Sequence, residues 1–381
     1  MSDIAIIVTI SLIIFLSPFI AKISRLPTSV IEIVLGTILG ALGYLHHNPL
    51  FELVAEFGFL YLMFLAGLEV DLKKILAIDP QILQRGIFYI LSLYLLSFIF
   101  VHYLQFDEVF IAIFPLISVG LIAALRKEYG KNLSWLNLSM AIGTLGEVVS
   151  IAILTILSAG LEFGFTEKFY TNIFILTVFL GVILGVFHLL QVLFWWYPEI
   201  KTTLMPRIDN EEQDIRLSMA LLFLFISLMI YLRLEVAFGA FIAGIFIATF
   251  FEHKRSLPHK LSSFGFGFLV PIFFIYTGSS FKLQALFMEG IISSAIVITI
   301  IMILIRIIAA MFFYNILSLK ERIYLALSHA MPLTLLVAIT TIAYHTKFID
   351  ENEYMAFILA SIIEVLAVMV TIRLTHKKVS A

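Results

Sequence analysis

The chain has 381 residues, of which 62% are hydrophobic and 13% charged, against about 45–50% and about 25% in soluble domains. This composition excludes a soluble globular fold and indicates an integral membrane protein. The formal net charge of −2 gives no electrostatic basis for binding nucleic acid, and the lack of cysteine excludes disulfides and thiolate metal sites.

Apolar segments long enough to cross a bilayer, which takes about 20 helical residues, follow one another with short connections. The polar connector Tyr197–Arg216 divides them into two groups. The first segment lacks the basic region of a cleaved signal peptide and is interpreted as a span. We predict thirteen spans, at 4–20, 28–46, 53–69, 86–104, 108–126, 133–159, 171–196, 215–232, 235–251, 262–280, 288–314, 322–345 and 352–374.

The placement of Lys and Arg supports this number of spans. Most of the 24 basic residues fall in every second loop, which the positive-inside rule places in the cytoplasm. An even number of spans would disrupt this alternation. We therefore predict an N-terminus outside the membrane and a C-terminus in the cytoplasm.

Few ionisable residues fall near the middle of a predicted span, where they are costly to bury and often functional. The aspartates fall in loops or at span ends, and no HExxH sequence occurs, so we do not expect an intramembrane aspartyl or zinc protease. No enzyme activity and no cofactor is expected. The mid-span candidates are Glu32, Glu147, Arg306 and Glu364, with His188 and His329 as weaker ones.

Two proline–glutamate pairs share one spacing. Glu147 follows Pro115 by 32 positions, Glu364 follows Pro332 by 32 positions, and a valine follows each glutamate. Because the pairs lie seven spans apart, which is an odd number, spans 4–6 and 11–13 would form an inverted repeat. Prolines at matching places in inverted halves indicate a transporter whose ion site uses freed backbone carbonyls. Two ordinary proline kinks with a coincidental spacing are the alternative.

Four further segments resemble the second bacterial family of monovalent cation/proton antiporters, which includes Kef-type and Nap-type exchangers. Leu60–Asp71 is similar to the family's FLxGLExD signature, and 25–36 resembles its second span. Gly239–Gly244 matches its GAFxAG segment, and 271–278 matches its PIFF…G segment. The resemblance implies an all-α fold of about thirteen transmembrane helices, with inverted repeats, two crossed discontinuous helices and usually a homodimer.

The resemblance also implies where ions bind. The family's acidic pair on span 6 corresponds to Gly146-Glu147, so Glu147 takes the place of the essential second acid. One acid holds either one proton or one cation, which predicts electroneutral exchange of Na⁺ or K⁺ for H⁺ by alternating access. Since an unpaired carboxylate is costly in hydrocarbon, the proton and the transported metal cation would neutralise Glu147 in turn.

Other site residues are expected around this glutamate. Ser118 and Thr334 fall on the two interrupted spans that line the family's site, where their hydroxyls would bind the cation. Arg306 matches the family's basic residue on span 288–314 and is predicted to be a fixed counter-charge, paired with Glu364 or Glu147. The helix breaks are predicted at Pro115, Gly120 and Pro332.

We predict a single membrane transporter domain, 1–381, in the bacterial inner membrane, with the transported ions, lipid and a second copy as its partners. Its ion-translocating core would comprise 86–159 and 288–374, and the remaining spans would form a scaffold and dimer interface. No C-terminal regulatory domain is expected. A sodium-coupled symporter of small organic anions and a non-transporting membrane sensor remain open as alternatives.

Overall fold

The computed structural model describes residues 3–24, 26–46, 48–70, 79–129, 133–163, 167–206, 211–251, 254, 256–281 and 290–375. Within these ranges the regular secondary structure is helical, with no strands. Nine of the described helices are long and apolar enough to cross a membrane, and shorter apolar helices lie between them.

The helices follow the predicted spans in order along the chain. They include a π-helical turn, Gly265–Leu269, and a 3₁₀ turn, Ala310–Phe313. A short helix, Pro198–Leu204, lies in the predicted polar connector. The elements are α1 Asp3–Ser24, α2 Thr28–Ala41, α3 Pro49–Glu69, α4 Pro80–Leu104, α5 Phe110–Ile113, α6 Gly120–Tyr129, α7 Ser134–Phe163, α8 Glu167–Trp196, α9 Pro198–Leu204, α10 Gln213–Leu232, α11 Val236–Phe250, α12 Leu257–Phe264, α13 Val270–Ser280, α14 Ile291–Ala309, α15 Leu319–His329, α16 Leu333–His345 and α17 Glu351–Thr375.

Some helices begin before the apolar stretch that predicts them. At the start of α4, the Asp79 side chain accepts a hydrogen bond from the backbone nitrogen of Gln81 at 2.8 Å. At the start of α15, Ser318 and Glu321 form a reciprocal capping box. Because capping side chains satisfy the first free N–H groups, the helix starts at the cap and not where the apolar residues begin.

Two spans are interrupted at the predicted prolines. Pro115 lies between α5 and α6, in a segment whose residues 116–118 have no regular structure. Pro332 directly precedes α16, and residues 330–332 separate it from α15. Helix α5 contacts α16, and α6 contacts α15, so each half of one broken helix packs against a half of the other.

Helices α3 and α11 cross so closely that only glycine fits at the contact. A Cβ added to Gly67 would lie 2.1 Å from the carbonyl oxygen of Phe241, and one added to Gly244 would lie 2.1 Å from that of Phe64. Each glycine therefore faces the carbonyl three residues before the other glycine. Any side chain here would overlap backbone that belongs to a packed helix.

Helices α2 and α13 repeat this arrangement. A Cβ added to Gly36 would lie 2.4 Å from the carbonyl oxygen of Ile275, and one added to Gly278 would lie 2.1 Å from that of Ile33. The three-residue offset is the same as in the first crossing. Since α2 and α11 are seven spans apart, as are α3 and α13, the two crossings are related by the inverted repeat.

The chain forms two compact units. The first comprises Met1–Asn48, Ala77–Leu154 and Phe274–Ala381, and the second comprises Pro49–Leu76 and Thr155–Phe273. Both interrupted helices belong to the first unit, together with α1 and α2. The predicted division into a translocating core and a scaffold stays a prediction.

Candidate cation site

Glu147 lies on α7 beside the first helix break, and its side chain is 2% exposed. Its Oε1 accepts a hydrogen bond from the Ser118 hydroxyl at 2.9 Å and a longer one from the backbone nitrogen of Val119 at 3.4 Å. Both donors directly precede α6, which begins at Gly120. The N-terminus of a helix carries partial positive charge, so the carboxylate lies where a negative charge is stabilised.

Two other residues of α7 hold the same break. The Ser150 hydroxyl oxygen accepts a hydrogen bond from the backbone nitrogen of Ile117 at 3.1 Å. Ser150 follows Glu147 by three positions and therefore shares its face of the helix. A Cβ added to Gly146 would lie 2.5 Å from Cδ1 of Ile117, so the break packs directly on the backbone of α7.

Arg306 on α14 is fully buried and binds backbone carbonyls of both breaks. Its Nε donates to the carbonyl oxygen of His329 at 3.0 Å, and its Nη1 donates to that of Met302 at 2.6 Å. Its Nη2 donates to the carbonyl oxygen of Leu116. Leu116 lies in the first break and His329 ends α15, so one side chain satisfies carbonyls that the interrupted helices leave free.

The predicted counter-charge partners of Arg306 do not form a direct ion pair with it. Among the described residues, no carboxylate oxygen lies within 4.0 Å of its guanidinium nitrogens. Glu364 on α17 is 1% exposed, and its Oε1 has no hydrogen-bond partner in the described part of the chain. The role of Arg306 and Glu364 as counter-charge partners stays a prediction.

His329 connects the second break to two other helices. Its Nδ1 lies 2.9 Å from the hydroxyl of Tyr89 on α4, and its Nε2 lies 3.0 Å from the backbone carbonyl oxygen of Ser139 on α7. One neutral tautomer satisfies both contacts, with Nε2–H donating to the carbonyl and Nδ1 accepting from the phenol. The Ser328 hydroxyl donates to the Ser139 hydroxyl at 2.9 Å and adds a second connection to α7.

The structure brings together Glu147, Ser118 and the first break, while Pro115 and Gly120 lie within and directly after that break. Thr334 lies in the first turn of α16, and its side chain is outside the described part of the structure. The sequence motifs predict Glu147 on this face of α7 but not Ser139, Gly143 or Ser150. The signal that could have indicated them is a recurrence of small or polar residues along an otherwise apolar helix, at intervals of three or four.

Comparison with known proteins gives consistent matches. A family model described as "Sodium/hydrogen exchanger, transmembrane" matches residues 10–377. The putative Na(+)/H(+) antiporter YjbQ of Bacillus subtilis is 24% identical over 394 residues, covering 95% of this chain and 61% of YjbQ. This chain therefore spans about three fifths of the length of that relative.

Two further relatives match over most of their length. The probable Na(+)/H(+) antiporter 3 of Methanocaldococcus jannaschii is 25% identical, covering 72% of this chain and 71% of that protein. The ammonium/H(+) antiporter subunit AmhT of Alkalihalophilus pseudofirmus is 26% identical, covering 74% of this chain and 70% of that protein.

The fold is similar to that of a solved structure, the sodium proton antiporter MjNhaP1 from Methanocaldococcus jannaschii. The TM-score is 0.70 at 17% identity, and the match covers 97% of this chain and 96% of that chain. The predicted all-α fold with inverted repeats and interrupted helices is thus confirmed.

Proposed function

Since the chain belongs to the sodium/hydrogen exchanger family, we propose that it exchanges a monovalent cation, Na⁺ or K⁺, for H⁺ across a membrane. Membership in a family of monovalent cation/proton antiporters, which the sequence motifs predict, is confirmed. The chain is a multi-pass membrane protein. The proposal is that Glu147 carries the proton and the cation in turn.

The burial of Glu147 beside a helix break is the observation that carries this proposal. Glu147 is 2% exposed, and its carboxylate accepts a hydrogen bond from the Ser118 hydroxyl at 2.9 Å. A charged carboxylate at membrane depth is costly, so binding of a proton or a cation offsets the cost of burial. Carboxylate and hydroxyl oxygens are the ligands that hard cations prefer, and carbonyls of the break can complete the shell.

One carrier residue gives a simple stoichiometry. Glu147 binds either one proton or one cation, so each cycle moves equal charge in both directions and the exchange is electroneutral. The inverted repeat allows two conformations of similar energy, each open to one side of the membrane. We further propose the inner membrane as the location, with the N-terminus outside, and a homodimer as the assembly.

The test is proton flux in proteoliposomes under imposed gradients of sodium, potassium, lithium or ammonium; ammonium is included because AmhT is named as an ammonium/H(+) antiporter. Wild type is compared with Glu147→Gln and with Glu32→Gln. Glu32 is a matched control, because it is 4% exposed and accepts a hydrogen bond from the Ser17 hydroxyl at 3.2 Å. We expect cation-dependent flux that Glu147→Gln abolishes, that Glu32→Gln retains, and that an imposed membrane potential does not change.

Other outcomes would contradict the proposal. Unchanged flux in Glu147→Gln would place the carrier at another carboxyl group, with Glu364 the next candidate. Sodium uptake that requires a small organic anion would indicate the symporter. No flux with any cation from folded wild type would indicate the non-transporting sensor.

A further inference from the structure

Ile117 of the first break packs against Gly146 of α7. A Cβ added to Gly146 would lie 2.5 Å from Cδ1, 3.1 Å from Cβ and 3.2 Å from Cγ1 of Ile117. The buried isoleucine therefore occupies the volume into which any side chain at position 146 would project. A change of rotamer would relieve the clash with Cδ1 but not the 3.1 Å contact with Cβ, so the break would still have to shift by a few tenths of an ångström.

The break cannot move freely, since it is held on both sides of Ile117. The carbonyl oxygen of Leu116 accepts a hydrogen bond from Arg306, and the Ser118 hydroxyl donates to Glu147. The backbone nitrogen of Ile117 itself donates to the Ser150 hydroxyl oxygen at 3.1 Å. These hydrogen bonds pull the segment toward α7, and the contact of Ile117 with Gly146 limits how closely it can approach.

That approach sets the distance between the oxygen ligands of the candidate site. Ser118 is the next residue after Ile117, and Glu147 is the next residue after Gly146, so the two contacts vary together. A cation held between the carboxylate and the break needs a spacing that matches its radius, and selectivity follows from the size and stiffness of the cavity. A close spacing favours Na⁺ or Li⁺ over the larger K⁺.

We propose that Ile117 and Gly146 form a size-matched pair that holds the first break close to Glu147 and makes the site selective for the smaller alkali cations. This inference rests on the proposed function. Ile117 is a positioning residue in it, since it acts on the cation through the spacing of Ser118 and Glu147. A larger side chain at position 146 widens the site, and a smaller one at position 117 relieves the clash.

The test measures the KM for Na⁺ and for K⁺ in proteoliposomes containing wild type, Gly146→Ala, Ile117→Ala or the double variant. We expect Gly146→Ala to raise the ratio of the Na⁺ KM to the K⁺ KM by about tenfold, equivalent to about 1.4 kcal/mol. The double variant should return the ratio to within about threefold of wild type, since the two changes compensate at one contact. Gly185→Ala on α8, where an added Cβ meets nothing within 4 Å, is the control and should not change the ratio.

A second measurement covers variants that fold but do not transport. A bound cation stabilises the folded protein and raises its Tm. The increase in Tm on adding Na⁺, compared with the increase on adding K⁺, therefore reports the same selectivity without transport. If Gly146→Ala loses affinity equally for both cations, and the double variant does not recover it, the proposal that Ile117 and Gly146 set the selectivity is wrong. Absence of exchange in wild type would instead contradict the proposed function. The increases in Tm with Na⁺ and K⁺ would then show separately whether Ile117 and Gly146 set the selectivity of cation binding.

Discussion

The Nε of Arg306 donates a hydrogen bond to the backbone carbonyl of His329 at 3.0 Å, at the residue where α15 ends. The C-terminus of a helix carries partial negative charge, which a buried cation stabilises. The other guanidinium nitrogens bind the carbonyls of Met302 and Leu116. Arg306 thus holds the two interrupted helices together through hydrogen bonds to their backbone, in addition to any electrostatic effect of its charge on the site.

Replacing Arg306 with methionine should therefore destabilise the protein. Each hydrogen bond to a charged group contributes about 1.5–3 kcal/mol, so we expect the free energy of unfolding to fall by at least about 3 kcal/mol. Arg306→Lys should have an intermediate effect, because an ammonium group keeps the charge but lacks the planar, forked donors with which the guanidinium binds three carbonyls. Thermal unfolding in detergent measures this order. A methionine variant that unfolds like wild type but does not transport would instead indicate a purely electrostatic role.

Ser118→Ala should weaken cation binding. It removes the hydroxyl that lies 2.9 Å from Glu147, and we expect the KM for the cation to rise about tenfold, as for a lost hydrogen bond to a charged group. Ser17→Ala is the matched control, because it removes the equivalent hydroxyl from Glu32. Flux in proteoliposomes gives both KM values. Equal effects of the two substitutions would argue against a specific ligand role for Ser118.

His329 should not set the pH dependence of exchange. Both of its ring nitrogens have partners, Tyr89 and the Ser139 carbonyl, that a neutral ring satisfies. Tyr89→Phe should lower the free energy of unfolding by about 1 kcal/mol and leave the pH profile of flux unchanged. His329→Gln should also keep the pH midpoint. A shifted midpoint in His329→Gln, with Tyr89→Phe normal, would identify the histidine as a pH sensor.

Gly244→Ala should prevent stable packing of α3 against α11. Its Cβ would lie 2.1 Å from the backbone carbonyl of Phe64, which cannot rotate away, so we expect a loss of about 3 kcal/mol or failure to fold. The control is Gly181→Ala on α8, where an added Cβ meets nothing within 4 Å. Size-exclusion chromatography and Tm in detergent compare the two. Similar behaviour of both variants would show that the crossing can open without cost.

The sequence predicts the spans and the breaks because each depends on a property of single residues. Apolar runs mark the helices, and Pro115 and Pro332 mark the interruptions, since proline removes a backbone donor wherever it stands. The burial of Glu147 and its proximity to Ser118 follow from the repeat and the family motifs. These features needed no knowledge of which backbone atoms meet.

The partners of Arg306 and Gly146 could not be predicted in the same way. Arg306 binds carbonyls, and every residue carries one, so no pattern of residue types indicates Leu116 or His329 as the acceptor. Gly146 can be recognised as a missing side chain, but the residue that fills its place, Ile117, is an ordinary apolar residue. Only the folded arrangement of the break against α7 reveals that pair.

The π-helical turn Gly265–Leu269 fixes the number of residues that the segment from α12 to α13 must contain. A π turn contains one extra residue, which rotates the following helix by about 100° relative to a continuous α-helix. At the first residue of the turn, an added Cβ at Gly265 would lie 2.6 Å from the Tyr61 ring. After the turn, Gly278 faces the backbone carbonyl of Ile33. Deletion of one residue between these glycines would rotate one of them away from the residue that it packs against. This stretch should therefore be sensitive to the insertion or deletion of a single residue, even an apolar one.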